Sequence, residues 1–296
     1  KDSRITVIHK ENGGAPSARN VAIDMVKTKY MYFMDSDDWV EPNMLEDLIR
    51  IAEDNNSQLV ISGFYIDTYY SDTEKFVQKK YVSDKVYETQ QEFREDAYKL
   101  FDENLLYTPW NKLYLSEYIL TNKLYFPHTF WDDFPFNLSV IRDIERVVVT
   151  SKCYYHFIRQ RAESETAKYR PDMYEKREEE HSWMQDLYKH WNIFTVELYE
   201  FLARRYIERL VGCVENVTNP SCTLNNWEQI KVIRKMIFSP MAQAAVRVAK
   251  PNSTYMWLML IPIKYRLVML TYIEGKVISK VKVSNTELFA KLKAYR

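Results

Sequence analysis

Three carboxylates within four residues, Asp35, Asp37 and Asp38, close a short apolar and aromatic run, Tyr30-Met31-Tyr32-Phe33-Met34. Side chains at Asp35 and Asp37 point the same way if the backbone stays extended, so a strand end offers paired oxygen ligands to a hard cation such as Mg2+ or Mn2+. Upstream lies Asn12-Gly13-Gly14-Ala15-Pro16-Ser17-Ala18-Arg19-Asn20. Glycine lets a backbone approach a ligand closely, and a helix starting near Pro16 offers free N–H groups and a positive end to phosphate. Arg19, one turn in, either reaches a nucleotide or pairs with a carboxylate of the 35–38 cluster. Loop, helix, strand and acidic cluster in this order is how an α/β sheet presents metal and phosphate at the carboxyl ends of its strands. Two blander readings stand beside it: Asp-Ser-Asp is a solvated strand-end turn, and Asp38 caps the turn into Trp39-Val40-Glu41-Pro42.

The elements that must position these residues follow from periodicity. Ile5–His9 reads as a strand. Pro16 suits a first helical turn, with Val21, Ala22, Met25 and Val26 as the apolar face behind it. Tyr30–Met34 has the apolar texture of a buried parallel strand. Pro42 and Asn43 start a helix whose Met44, Leu45, Leu48, Ile49 and Ala52 face the core. Leu59–Ile66 is the next strand, 76–86 a hairpin or edge extension, and Gln91–Asn104 a helix with Phe93, Ala97, Leu100 and Phe101 inward. Asp132–Val140 is a short helix, followed by strands at Arg146–Thr150 and Tyr154–Arg159. This alternation implies an α/β domain with a mainly parallel sheet flanked by helices. Beyond about Arg170 strand signals fade and helical patterns take over at Met173–Trp191, Val196–Val214 and Trp227–Val248. The expected division is therefore an α/β domain over 1–170 and a helical carboxyl-terminal region over 171–296.

Composition bounds the function. Lys+Arg and Asp+Glu are 41 each, so the formal net charge is zero and the basic footprint of a nucleic-acid binder is absent. Tyr (23), Phe (14) and Trp (7) are abundant, as suits a packed protein with aromatic clefts. Cys153, Cys213 and Cys222 form no CxxC pair, which points away from zinc or a disulfide framework and toward a reducing, cytoplasmic compartment. The run Tyr255-Met256-Trp257-Leu258-Met259-Leu260-Ile261, broken by Pro262 and followed by a basic end, is too short and too charged to span a bilayer. It suits a helix lying in an anionic membrane surface, peripheral on the inner face of the plasma membrane, or equally a helical subdomain packing on itself or in a homo-oligomer.

The first two motifs together resemble the nucleotide-sugar-binding core of the family 2 inverting glycosyltransferases, which reads roughly N-x-G-x-x-x-A-R-N, helix, strand, D-x-D-D. That resemblance implies a GT-A fold, a Mn2+ or Mg2+ cofactor and a nucleoside-diphosphate-sugar donor, a UDP-sugar first among them. It makes Asp37 a direct metal ligand, Asp35 a ribose or metal-water contact, and Asn12, Gly14 and Arg19 contacts of the donor diphosphate. The family carries an acidic pair at a helix start whose second member is the base that deprotonates the acceptor; here that is Phe130-Trp131-Asp132-Asp133-Phe134, with Asp133 the base, Asp132 its neighbour and Trp131 beside the acceptor. The alternative is that two acids merely complement a helix dipole. Thr108-Pro109-Trp110-Asn111-Lys112-Leu113-Tyr114 is similar to the family's W-N-K-L-Y segment, so Trp110, Asn111 and Lys112 are candidate acceptor contacts, with a packing role for Trp110 equally open. Tyr154 to Ser164 resembles Y-x-Y-x-x-R-x-x-S, offering Arg159 or Arg161 as diphosphate clamps and His156 as a metal or phosphate contact, against a structural histidine. The resemblance spans about residues 5–166; the family's opening strand, helix and strand, which hold base and ribose, would precede Lys1. It implies transfer to a cell-surface glycan or lipid-linked acceptor. Two rivals remain: a haloacid-dehalogenase-type phosphatase, disfavoured by Trp39 where Thr or Val is expected, and a GT-A-like scaffold that binds nucleotide or glycan without turnover.

Overall fold

The computed structural model describes residues 2–69, 75–129, 131–160 and 169–284. In chain order the elements are α1 (Gly14–Met25), β1 (Tyr30–Tyr32), β2 (Trp39–Val40), α2 (Met44–Asp54), β3 (Leu59–Tyr69), β4 (Lys75–Lys80), β5 (Lys85–Tyr87), α3 (Gln90–Asp102), β6 (Lys112–Leu115), α4 (Ser116–Thr121), α5 (Asp133–Arg142) and β7 (Val147–Gln160). Six helices follow: α6 (Met173–Trp191), α7 (Val196–Val217), α8 (Asn226–Ile237), α9 (Pro240–Val248), α10 (Thr254–Lys264) and α11 (Val268–Ser284). Two compact units result, one from Lys1–Phe64 with Lys80–Tyr155, the other from Tyr65–Lys79 with His156–Arg296.

The sheet is mixed rather than mainly parallel. Its order is β1-β6-β3-β7-β2, with β4 paired to β3 and β5 to β7. β6 runs antiparallel to β1 (Met31 opposite Tyr114) and to β3 (Val60 opposite Leu113). β1 and β3 therefore share a direction but are separated by a strand that arrives some fifty residues later in the chain, which local alternation of helix and strand does not reveal. Sandwiched on both edges, β6 buries Leu113 and Tyr114 at its centre.

Helix α2 shows how the first unit's core is laid down. Met44, Leu48 and Ala52, one turn apart, pack with Val60, Leu113 and Tyr154, while Leu45 and Ile49 stay exposed. Phe93, Ala97, Leu100 and Phe101 of α3 are all buried, and Thr89 and Glu92 close its amino end as a capping box. The expected strand over 5–9 is not formed. Ile5 and Val7 are 71% and 70% exposed, because an extended segment with no neighbouring strand satisfies no ladder and covers no face. In α1 the buried residue is Ile23, rather than the expected face of Val21, Ala22, Met25 and Val26. The two strands expected after Arg146 are one continuous β7, and the long helix expected over 227–248 is two, divided where Ser239 caps α9 ahead of Pro240.

In the second unit, α7, α8, α9 and α10 enclose a core of Tyr206, Leu210, Val214, Ile233, Met236 and Met259 among others. Within it Glu180 is buried and held by Arg177 and by Arg209 at 2.9 Å. Burial opposes its charge, but the two arginines overcome this and keep the carboxyl below its usual range.

Gly63, inside β3, has no room for a side chain: a Cβ there would lie 2.7 Å from Cys153 Sγ, 2.8 Å from the Lys80 carbonyl and 2.9 Å from Tyr81 Cβ. Gly63→Ala is expected to cost about 1–3 kcal/mol through overpacking, read as a lowered urea midpoint at unchanged m-value.

Candidate active site

One guanidinium gathers the acids. Arg19, on the first turns of α1, donates through Nη2 to Asp35 Oδ1 at 2.7 Å, and through Nη1 to Asp132 Oδ2 at 3.1 Å and Asp133 Oδ1 at 2.5 Å. Its planar fork suits several carboxylates at once, and its Cζ lies 5.0 Å from the centre of the Phe126 ring. Three elements distant in sequence meet here: the first helix, the end of β1 and the start of α5. Burial works against the charge on Arg19, but the carboxylates more than compensate and raise its pKa.

The neighbours hold each part in place. Asn20 clamps the backbone of Phe126, donating to its carbonyl at 2.9 Å and accepting from its N–H at 2.8 Å. Phe126 stacks on Phe136 at 3.8 Å and meets Phe33 edge to face, so the floor beneath Arg19 is aromatic. Tyr155 OH accepts from the Asp35 N–H at 3.2 Å and donates to Asp38 Oδ2 at 2.5 Å. Asp38 is thereby buried inside the turn, while Asp37 stays exposed. In the glycine loop, Asn12 Oδ1 accepts from the Gly14 N–H at 3.0 Å, and Gly14 has φ +77°, a conformation that favours glycine.

The acid pair does not simply cap α5. Asp132 occupies the cap position without any side-chain cap bond, and both acids turn to Arg19. Trp131 before them adopts φ +58°, which for a bulky residue costs on the order of 1 kcal/mol or more and marks a constrained approach to the pair. Burial pushes the Asp133 carboxyl up to about 7, with Asp132 and Asp35 adding to the rise and Arg19 opposing it. Asp132 is raised as well, again mainly by burial. A carboxyl poised near neutrality can accept a proton at working pH.

Residues 1–120 match the sequence profile of Glycosyl transferase family 2. Over these residues the chain is similar to the family 2 glycosyltransferases. It is similar to "Uncharacterized glycosyltransferase EpsJ" of Bacillus subtilis (strain 168), 29% identical over 253 residues, spanning 83% of this chain and 71% of that protein. A shorter match, 36% identical over 64 residues, covers 22% of this chain and 20% of "Poly(ribitol-phosphate) beta-N-acetylglucosaminyltransferase TarP" of Staphylococcus aureus (strain N315). The crystal structure of S. aureus TarS 1-349 in complex with UDP-GlcNAc shares the GT-A fold at 16% identity and a TM-score of 0.54, over 94% of this chain and 74% of that one.

The W-N-K-L-Y segment is buried scaffolding, which corrects the expectation for Trp110, Asn111 and Lys112 as acceptor contacts and leaves the packing role for Trp110. Trp110 is buried, stacked on Tyr155 at 4.3 Å and edge to face with Phe64. Asn111 and Lys112 are fully buried. Asn111 Nδ2 donates to the carbonyls of Ser62 and Leu105, and Lys112 Nζ donates to Leu105 O at 2.6 Å, Thr108 O at 2.5 Å and Asn111 Oδ1 at 2.8 Å. All three ammonium directions are spent inside, and burial drives the Lys112 pKa well down. Arg159 belongs to the second unit, where its guanidinium lies 5.7 Å from the Phe157 ring centre; Arg161 lies outside the described residues. His156, also in the second unit, is buried, stacked on Tyr65 at 4.2 Å and 3.2 Å from Asp67.

Among the described residues no group of three or more His, Cys, Asp or Glu side chains forms a ready-made metal cage. Asp35 keeps its second oxygen and Asp37 is exposed, a donor pair that fits Mg2+ or Mn2+ held jointly with phosphates, since such ions take one or two carboxylates and complete their shell elsewhere. The residues missed by sequence reasoning are Asn20, Phe126 and Tyr155. The first closes the A-R-N motif and the last is the second residue of the aromatic strand motif, but their partners are far away in the chain.

The Asp133 shift has a sign that can be tested. A carboxyl whose folded pKa is raised to about 7 from about 3.9 unfolded adds stability below about pH 4 and loses it as pH rises through about 7. Asp133→Asn should flatten that part of the pH–stability curve, measured by denaturant unfolding at a series of pH values.

Proposed function

We propose that this glycosyltransferase moves a sugar, with inversion, from a nucleoside-diphosphate-sugar to a hydroxyl of a cell-surface glycan or lipid-linked acceptor. The donor we assign is a UDP-sugar, the cofactor Mn2+ or Mg2+, and the place of work the inner face of the plasma membrane. The observation that carries the reading is Arg19 joining Asp35, at the end of β1, to the acid pair Asp132-Asp133. It unites the glycine-loop helix, the D-x-D-D turn and a carboxyl poised near neutrality. A UDP-sugar is supported by the fold shared with TarS, whose crystal structure holds UDP-GlcNAc.

In this reading the amino end of α1, entered through the Asn12-Gly13-Gly14 loop, turns its positive dipole end to the donor diphosphate. Asp37 would be a direct metal ligand and Asp35 would act through ribose or a metal-bound water. The cation, when bound, would supply Lewis-acid stabilisation of the leaving diphosphate. Asp133 takes the proton from the acceptor hydroxyl; that oxygen attacks the anomeric carbon from the face opposite the diphosphate as the old C–O bond breaks, inverting the centre. Asp132 and Arg19 fix the orientation of Asp133, and Trp131 flanks the acceptor. Arg19 also keeps enough of Asp133 ionised for it to act as a base. The helical region over 171–296 would serve acceptor choice, assembly or the membrane surface.

Asp37→Ala is expected to abolish metal-dependent donor binding. Asp133→Asn should spare binding and lower transfer by at least about a hundredfold, the scale of general-base catalysis. A thermal-shift screen with UDP, GDP, dTDP and CMP, each with Mn2+ and with chelator, checks the first, and donor consumption with sugar transfer checks the second. A nucleotide at about a hundred times its Kd adds roughly 2.7 kcal/mol to stability. Near wild-type transfer by Asp133→Asn would refute the base assignment, and donor binding without any turnover in the wild type would favour the scaffold.

A further inference from the structure

Helix α11 leaves one apolar stripe uncovered. Its buried stripe is Thr271, Gly275 and Ser279, at i, i+4 and i+8. A Cβ on Gly275 would lie 2.8 Å from Thr218 Cγ2 and 2.9 Å from Val214 Cγ1, and the Thr218 and Ser279 hydroxyls are hydrogen-bonded at 3.0 Å. Small residues let two helix backbones approach closely, the packing typical where the surroundings rather than the interface are apolar. Val268, Tyr272 and Ile278 flank that stripe, partly buried against the core, whereas Met269, Leu270, Ile273 and Val277 are 54%, 40%, 51% and 56% exposed and follow one outward stripe of the helix. In water an amphipathic helix turns that stripe to the core.

The charges around the stripe indicate what covers it. Exposed Arg266 and Lys280 stand at its two ends, with Lys276 beside it. Trp257 and Leu258 of α10 and Tyr265 and Leu267 between the helices are exposed too. Thr254 to Ser284 contains five Lys or Arg and one acid, Glu274, in a chain of zero formal net charge. A second copy would set this basic rim against its own like. Residues 285–296 add Lys291, Lys293 and Arg296 against Glu287, so that segment does not complement the rim either. No helix among the described residues is long and apolar enough to cross a membrane.

We propose that α10 and α11 form a docking face for an anionic phospholipid bilayer. The helices lie in the plane of the surface, the Met269–Val277 stripe reaches the acyl boundary, Trp257 and Tyr265 sit at headgroup level, and the basic side chains meet lipid phosphates. This deepens the peripheral-membrane part of the function proposed above, and rests on it only for the benefit to catalysis, not for the binding.

Sedimentation of the full chain with phosphatidylglycerol–phosphatidylcholine vesicles, with pure phosphatidylcholine vesicles and with none tests it. Partitioning should need the anionic lipid and fall with added salt. Lys276→Gln/Lys280→Gln should weaken it on the order of tenfold or more, since each surface charge contributes about fivefold. Ile273→Gln/Val277→Gln should weaken it by a comparable factor at unchanged melting temperature and unchanged nucleotide-induced thermal shift, which separates this surface from the donor site. Equal binding to neutral vesicles, no binding, or an oligomer seen by light scattering that the Gln variants dissolve without any vesicle binding would each overturn the proposal.

Discussion

Arg19 carries the organisation of the first unit. Its single charge neutralises parts of three carboxylates that would otherwise repel one another, one following β1 and two at the start of α5. Removing one charge partner from a largely buried cluster leaves the others without compensation, so the guanidinium helps hold the end of β1 against the start of α5. The aromatic floor of Phe33, Phe126 and Phe136 fixes the height of that guanidinium, and Asn20 fixes Phe126.

The same network sets the chemistry. Burial alone would push Asp133 far toward its neutral form, and neighbouring acids push it further; Arg19 opposes both, and the balance falls at about 7. Asp35, two residues from Asp37, shares the same counter-ion, so the region that would meet a diphosphate and the region that would meet an acceptor are electrostatically linked. Tyr155 adds a second brace, holding Asp38 inward while Asp37 remains in solvent. One turn of sequence thus presents its acids to three different environments.

The second unit follows a different logic. Its core is aliphatic and aromatic where α7, α8, α9 and α10 meet, with the buried carboxylate of Glu180 matched by two arginines. At α11 small residues form the fully buried stripe, flanked by Val268, Tyr272 and Ile278 against the core, while a second apolar stripe stays exposed.

The sequence by itself determined a good deal. Motifs whose residues are close in the chain were legible because their geometry is local: Asn12 and Gly14 in one turn, Asp35 to Asp38 in another, Phe93 to Phe101 on one helical face, and Met173–Trp191 as a helix. The tertiary structure decided whatever depends on which distant segments meet. That β6 inserts between β1 and β3 is a long-range pairing, and it turned Trp110, Asn111 and Lys112 from candidate acceptor contacts into buried scaffolding. That Arg19 holds Asp132 and Asp133 spans more than a hundred residues of chain, and no periodicity encodes it, because an ion pair is specified by where the fold brings two charges and not by their spacing in sequence.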